Sequence, residues 1–100
     1  LPPPPRHVAP APRVSVLTPT CAARHAFHAS LYRCFASQGL HPAELELVVA
    51  DDAAEPSASL AEAACADRRV RLVRVPPGTS VGAKRNAAAA AARARAPRRR

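Results

Sequence analysis

The sequence predicts an α/β domain, a three-layer open parallel sheet built in the order β-α-β-α-β-α. Three observations predict it. Short runs rich in Val and Leu recur at residues 13–18, 44–50 and 70–75. Segments with helical apolar spacing or high helix propensity separate them. Each run ends in a cluster of Pro, Asp, Gly, Ser or Thr, as strands ending in turns do. Strands that alternate with helices imply a parallel sheet with right-handed crossovers.

Residues 13–18 (RVSVLT) alternate β-branched and polar side chains, and Pro19 is expected to stop the strand. From about residue 23 to 38, Phe27, Leu31, Cys34 and Phe35 fall at i, i+4, i+7 and i+8, one face of a helix, with Gly39 placed as a C-cap. Residues 44–50 (ELELVVA) alternate at first and then become continuously apolar, as a strand covered on both faces does. Asp51, Asp52, Ala53 and Ala54 read as a polar loop. Residues 56–66 predict a short helix with Ser57 as N-cap. Residues 70–75 (VRLVRV) form the third strand, stopped by Pro76, Pro77 and Gly78. Ser80 or Thr79 then caps an alanine-rich helix expected to run from about 81 to 96.

Two tails flank this unit, which spans residues 13–92. Residues 1–12 carry six of the 12 prolines and are expected to stay extended and solvated. Residues 93–100 read RARAPRRR, a like-charge run that repels itself. About 80 residues remain to fold, a size that buries only roughly 60% of the unfolded surface and implies marginal stability.

The formal net charge of +8 invites a nucleic-acid reading. Five of the 15 basic residues lie in the C-terminal tail, and without them ten face seven acids. The three aromatics, Phe27, Tyr32 and Phe35, do not interleave with the basic cluster as a base-stacking surface requires. Nucleic acid is therefore disfavoured as a partner of the folded part. Three cysteines without a C-x-x-C argue against a disulfide scaffold and for a reducing, cytoplasmic setting. The longest pure-alanine run, residues 87–92, is far shorter than the roughly 20 apolar residues of a membrane span.

In an open parallel sheet, ligands bind outside the carboxyl ends of the strands. The segments filling those ends are Thr18-Pro19-Thr20-Cys21, Asp51-Asp52 and residues 76–86. The first turn has no glycine, and no G-x-x-x-x-G-K-[ST] occurs, so a phosphate is not expected on the first helix. The two carboxylates suit a base N–H or a ribose hydroxyl. Lys84, Arg85 and Asn86 open the third helix, where positive side chains and helix N–H groups face an anion such as a diphosphate. Cys21, His25 and His28 have the spacing C-x3-H-x2-H, but a structural zinc site needs four ligands. The two histidines read as solvated residues near a helix start.

VSVLTPT (residues 14–20), LVVADD (47–52), RVRLVRVPP (69–77) and VGAKRNAA (81–88) occur in the order and spacing of family 2 glycosyltransferases, which the chain resembles over roughly residues 13–92. The resemblance implies the first half of a GT-A (nucleotide-diphospho-sugar transferase) fold. It implies a nucleoside-diphosphate sugar as ligand and transfer of the sugar to an acceptor hydroxyl that the sequence does not identify. Pro19, Thr20 and Cys21 would line the base pocket, Asp52 would bind the base, and Asp51 would shape the loop or reach the ribose. Lys84 and Arg85 would lie near the diphosphate or sugar, with Asn86 fixing the helix start. The chain departs from the family at Cys21-Ala22, where Tyr-Asn is common, and at Ala53, where glycine is usual. The family continues into a D-x-D that holds Mn²⁺ or Mg²⁺, whereas this chain reads Pro97-Arg98-Arg99-Arg100. The expectation is thus a truncated glycosyltransferase, inactive alone, with no cofactor held within this chain. The alternative is a non-enzymatic interaction fragment whose arginine-rich tail binds nucleic acid or acidic partners.

Overall fold

A computed structural model describes residues 14–38 and 45–93. Three strands, β1 (Val14–Thr20), β2 (Leu45–Asp51) and β3 (Val70–Arg74), form one parallel sheet in the order β1-β2-β3. The helices are α1 (His28–Ala36), α2 (Ala58–Ala66) and α3 (Val81–Ala91). The expected β-α-β-α-β-α order and parallel sheet are both present.

β2 is the centre of the molecule, and all seven of its residues are buried. Side chains alternate across a strand, so β2 supplies two different layers. Leu45, Leu47 and Val49 pack with Phe35 of α1, Leu60 and Ala63 of α2, and Val70 of β3. Val48 and Ala50 pack on the other side with Ala88 of α3 and with Ala92. Helices α1 and α2 therefore cover one face and α3 the other. The small side chains of α3 let its backbone approach the sheet closely. On the first face Tyr32 donates to Asp67 (2.8 Å), Arg69 pairs with the same carboxylate (2.7 Å), and the Arg69 guanidinium lies 4.8 Å over the Phe35 ring.

Three of the boundaries that differ from the sequence expectation have a physical reason in the packing of the sheet and its helices. Strand β1 runs through Pro19 to Thr20 instead of stopping. The missing N–H does no harm because β1 is an edge strand. Leu47 N–H donates to Arg69 and Asp51 C=O accepts from Val75, so odd residues of β2 turn their backbone to β3 and even ones to β1. In the observed pairing, Ser15 aligned with Glu46, the residues of β1 that answer are 14, 16, 18 and 20. Residues 15, 17 and 19 face away, where proline is tolerated. The first helical segment begins as a 3-10 stretch, Ala22–Phe27, with no buried residue. With no apolar face to hold it, only the part from His28 onward packs as α-helix. Helix α3 ends at Ala91, and Arg93, assigned from sequence to the tail, donates its backbone N–H to buried Glu46 (2.5 Å). The proposed C-cap Gly39, the proline-rich segment and the arginines after 93 lie outside the described residues.

Candidate functional site

The carboxyl ends of the three strands carry a connected set of polar groups, and each part is placed by a neighbouring cap or turn. Ser57 caps α2 by accepting from Leu60 N–H (3.3 Å), and Ser80 caps α3 by accepting from Ala83 N–H (3.1 Å). Gly78 takes φ +83°, a left-handed turn that glycine enters freely, and its N–H points at Asp52 (3.0 Å). Lys84, in the first turn of α3, reaches inward. Its ammonium donates to the Thr20 carbonyl at the end of β1 (2.8 Å) and lies 3.3 Å from Asp52 Oδ1. One buried cation thus joins β1, the end of β2 and α3 at the rim where the sequence placed a ligand.

Asp51 and Asp52 do not act together. Consecutive residues of an extended chain point to opposite sides. Asp51 turns toward the α1 face, where His25 Nε2–H donates to it (3.0 Å) and the Ala53 N–H caps its other oxygen (2.9 Å). Asp51 is the last residue of β2 and buried, not part of a loop. Asp52 turns toward α3. Desolvation works against its ionised form, but the Gly78 N–H and Lys84 outweigh it and lower its carboxyl below the ordinary value.

His28 corrects the sequence reading most sharply. It is 2% exposed, not solvated, and sits between two hydroxyls: Nε2 lies 2.8 Å from Thr20 Oγ1 and Nδ1 lies 2.7 Å from Ser57 Oγ. A neutral imidazole satisfies both, donating to one hydroxyl and accepting from the other. Burial, then the potential of the His25 ring 4.9 Å away, lower its pKa, while Asp51 pulls it upward. His25, expected to be solvated, is part-buried against Asp51. Sequence spacing gave no sign of these partners, because Ser57 lies 29 residues from His28 and Asp51 lies 26 from His25.

Beside the rim, at the carboxyl end of β1, opens a cleft of about 420 Å³. Of the eight residues named from sequence, Pro19, Thr20, Cys21 and Lys84 line it, together with Arg24, Phe27, His28 and Leu31, which were not named. Asp51 and Asp52 lie on the sheet side of the rim and do not line it. Arg85 and Asn86 are exposed on α3. Among the described residues no group of three His, Cys, Asp or Glu side chains converges as a metal site. Among those residues, too, no helix is long and apolar enough to cross a membrane.

The polar network makes stability depend on acidity in two windows. A histidine whose pKa is depressed by folding binds its proton first in the unfolded chain. Stability therefore falls as pH drops from about 6.5, the unfolded value, toward the native one. The Arg69 side chain, chiefly, holds Asp67 at about 2 against an ordinary 3.8. That contribution is present above 3.8 and is lost as pH falls to about 2; after solvent screening it is on the order of 1 kcal/mol. Urea midpoints followed by circular dichroism from pH 8 to pH 2 should fall in both windows, and His28→Gln should flatten the upper one. A midpoint constant from pH 8 to pH 5 would contradict the buried neutral imidazole.

No family model, curated protein or solved structure matches this chain.

Proposed function

We propose that this chain binds a nucleoside-diphosphate sugar at the carboxyl rim of its sheet, as the nucleotide-binding front half of a glycosyltransferase-like GT-A domain. The observation that carries the reading is the Lys84 link between the Thr20 carbonyl and Asp52, beside a cleft wide enough for a nucleoside. In this reading the base enters the cleft against Pro19, Thr20 and Cys21. Asp52, fixed by Gly78 and Lys84, keeps unused lone pairs on its carboxylate for a base N–H or a ribose hydroxyl. Exposed Arg24 at the cleft and Arg85 on α3 supply positive charge for the diphosphate. Asn86 lies one position further along the same helix. Asp51 acts indirectly, by holding His25 and the turn at Ala53. Sugar transfer to an acceptor hydroxyl needs a metal or an equivalent charge and a base that the described residues do not provide, so binding without turnover is the expected behaviour.

Calorimetric titration with a UDP-sugar tests this. Asp52→Ala removes a charged hydrogen-bonding partner and is expected to weaken binding roughly tenfold to a hundredfold. Equal affinities would take Asp52 out of the site, and an absence of heat with the parent chain would remove the proposal.

A further inference from the structure

His28 lies between two hydroxyls, and the other neighbours of those hydroxyls decide which of its nitrogens carries the proton. Ser57 Oγ caps α2 by accepting from Leu60 N–H (3.3 Å). Among the described residues, the acceptor within reach of its own hydrogen is His28 Nδ1 at 2.7 Å. Ser57 is buried, so a hydroxyl hydrogen left there without an acceptor would carry the full cost of desolvation. Ser57 therefore donates to Nδ1. The imidazole, kept neutral by burial, holds its proton on Nε2 and donates it to Thr20 Oγ1 (2.8 Å).

This polarity leaves Thr20 with one thing to offer. Its carbonyl already accepts from the Lys84 ammonium (2.8 Å), and its hydroxyl oxygen accepts from His28. The hydroxyl hydrogen remains, and among the described residues none accepts it. Thr20 is 6% exposed and lines the cleft. Arg24 and Lys84 line the same cleft, and no Asp or Glu side chain does, so its wall is rich in donors. The reverse tautomer, with the proton on Nδ1, would strand the Ser57 hydrogen in the interior and turn the Thr20 hydrogen inward onto Nε2.

We propose that His28 is a positioning residue: the relay from Ser57 through His28 to Thr20 makes the Thr20 hydroxyl a fixed donor at the cleft wall, and the group it selects is a carbonyl. On the nucleoside reading above, on which this step rests, that group is a carbonyl of the base. A carbonyl oxygen accepts the Thr20 hydrogen, whereas an amino group meets it with hydrogens of its own. The cleft therefore favours a base with ring carbonyls, such as uracil, over adenine, which carries an amino group and no carbonyl.

Two measurements separate the relay from the ligand. Long-range proton–nitrogen correlation of the full chain, with ¹⁵N-labelled histidine, at pH 8 and without nucleotide, reads the tautomer, and His28→Gln identifies the signal. The expected proton is on Nε2 of His28; a proton on Nδ1 would overturn the relay. Calorimetry then reads the cleft. Thr20→Val keeps the shape but removes the donor, and should weaken UDP about threefold to tenfold and ADP by less than about twofold. Thr20→Ser, which restores the hydroxyl, should recover UDP binding. Ser57 does not line the cleft, so its influence on a ligand must pass through the ring. Ser57→Ala releases Nδ1 to take the proton, and if about half of the molecules do so the apparent UDP affinity drops about twofold. Equal UDP affinities for the parent and Thr20→Val would overturn the donor role with nucleotide binding intact, and equal losses for UDP and ADP would overturn the carbonyl. No UDP binding by the parent chain would remove the nucleotide reading and the carbonyl with it, while the tautomer still decides the relay. Far-UV circular dichroism of Thr20→Val and Ser57→Ala separates loss of binding from loss of fold, and the tautomer of the parent chain stands without either variant.

Discussion

Glu46→Ala is expected to destabilise the chain by about 2–4 kcal/mol, because it removes a buried acceptor that serves more than one part-buried donor. Glu46 is fully buried in the central strand and faces α3. Its carboxylate accepts from the Ser15 hydroxyl on β1 (2.6 Å) and from the Arg93 backbone N–H just beyond α3 (2.5 Å), with the Arg93 side chain alongside (3.4 Å). Alanine leaves those donors without this partner and opens a cavity between sheet and helix. Glu46→Gln keeps the shape and one acceptor oxygen, so its cost should be nearer 1 kcal/mol. Urea denaturation of the two variants side by side is the measurement. Equal costs would mean that neither the filled volume nor one retained acceptor oxygen matters at this position, only the intact carboxylate.

Leu47→Ala is expected to cost about 2–5 kcal/mol, the range for a large core side chain truncated to a methyl group. Leu47 is fully buried, and its strand neighbours Val16 and Val70 and the helical residues of the same layer leave little slack for collapse. A domain of this size has roughly 4–10 kcal/mol in all. The variant should therefore melt at far lower temperature than the parent and be partly unfolded at 37 °C, as thermal melts followed at 222 nm would report. An unchanged midpoint would mean that β2 is not the centre of the core.

The elements were legible because their signals are local. ELELVVA shows the change from alternation to a continuous apolar run that a doubly covered strand requires, and β2 is where it should be. Ser57 was readable as a cap from its own neighbourhood, as was the choice of Ser80 or Thr79, and Ser57 and Ser80 are the ones that accept the helix N–H. The meeting of Lys84 with Asp52 was legible at the level of the rim, since parallel strands bring their carboxyl ends together. What escaped depended on partners distant in sequence. Nothing near His28 announces Thr20 and Ser57 on either side of its ring. Nor does the dipeptide Asp51-Asp52 reveal that its carboxylates serve different layers until the strand is known to extend through Asp51. Pro19 misled for a related reason: it stops a central strand, and only the strand order shows that β1 lies at an edge.

Helix α3 offers almost nothing but methyl groups to the sheet, yet both of its ends are fastened. Lys84 anchors the first turn to Thr20 and Asp52. At the other end Arg71 of β3 grips the Ala91 carbonyl (2.7 Å), and Glu46 of β2 holds the Arg93 amide. A helix clamped at both termini cannot fray one turn at a time, the usual way that alanine-rich segments shed protection against solvent exchange. Its amides open when the sheet opens, so the backbone that presents Arg85 is as durable as the core beneath it.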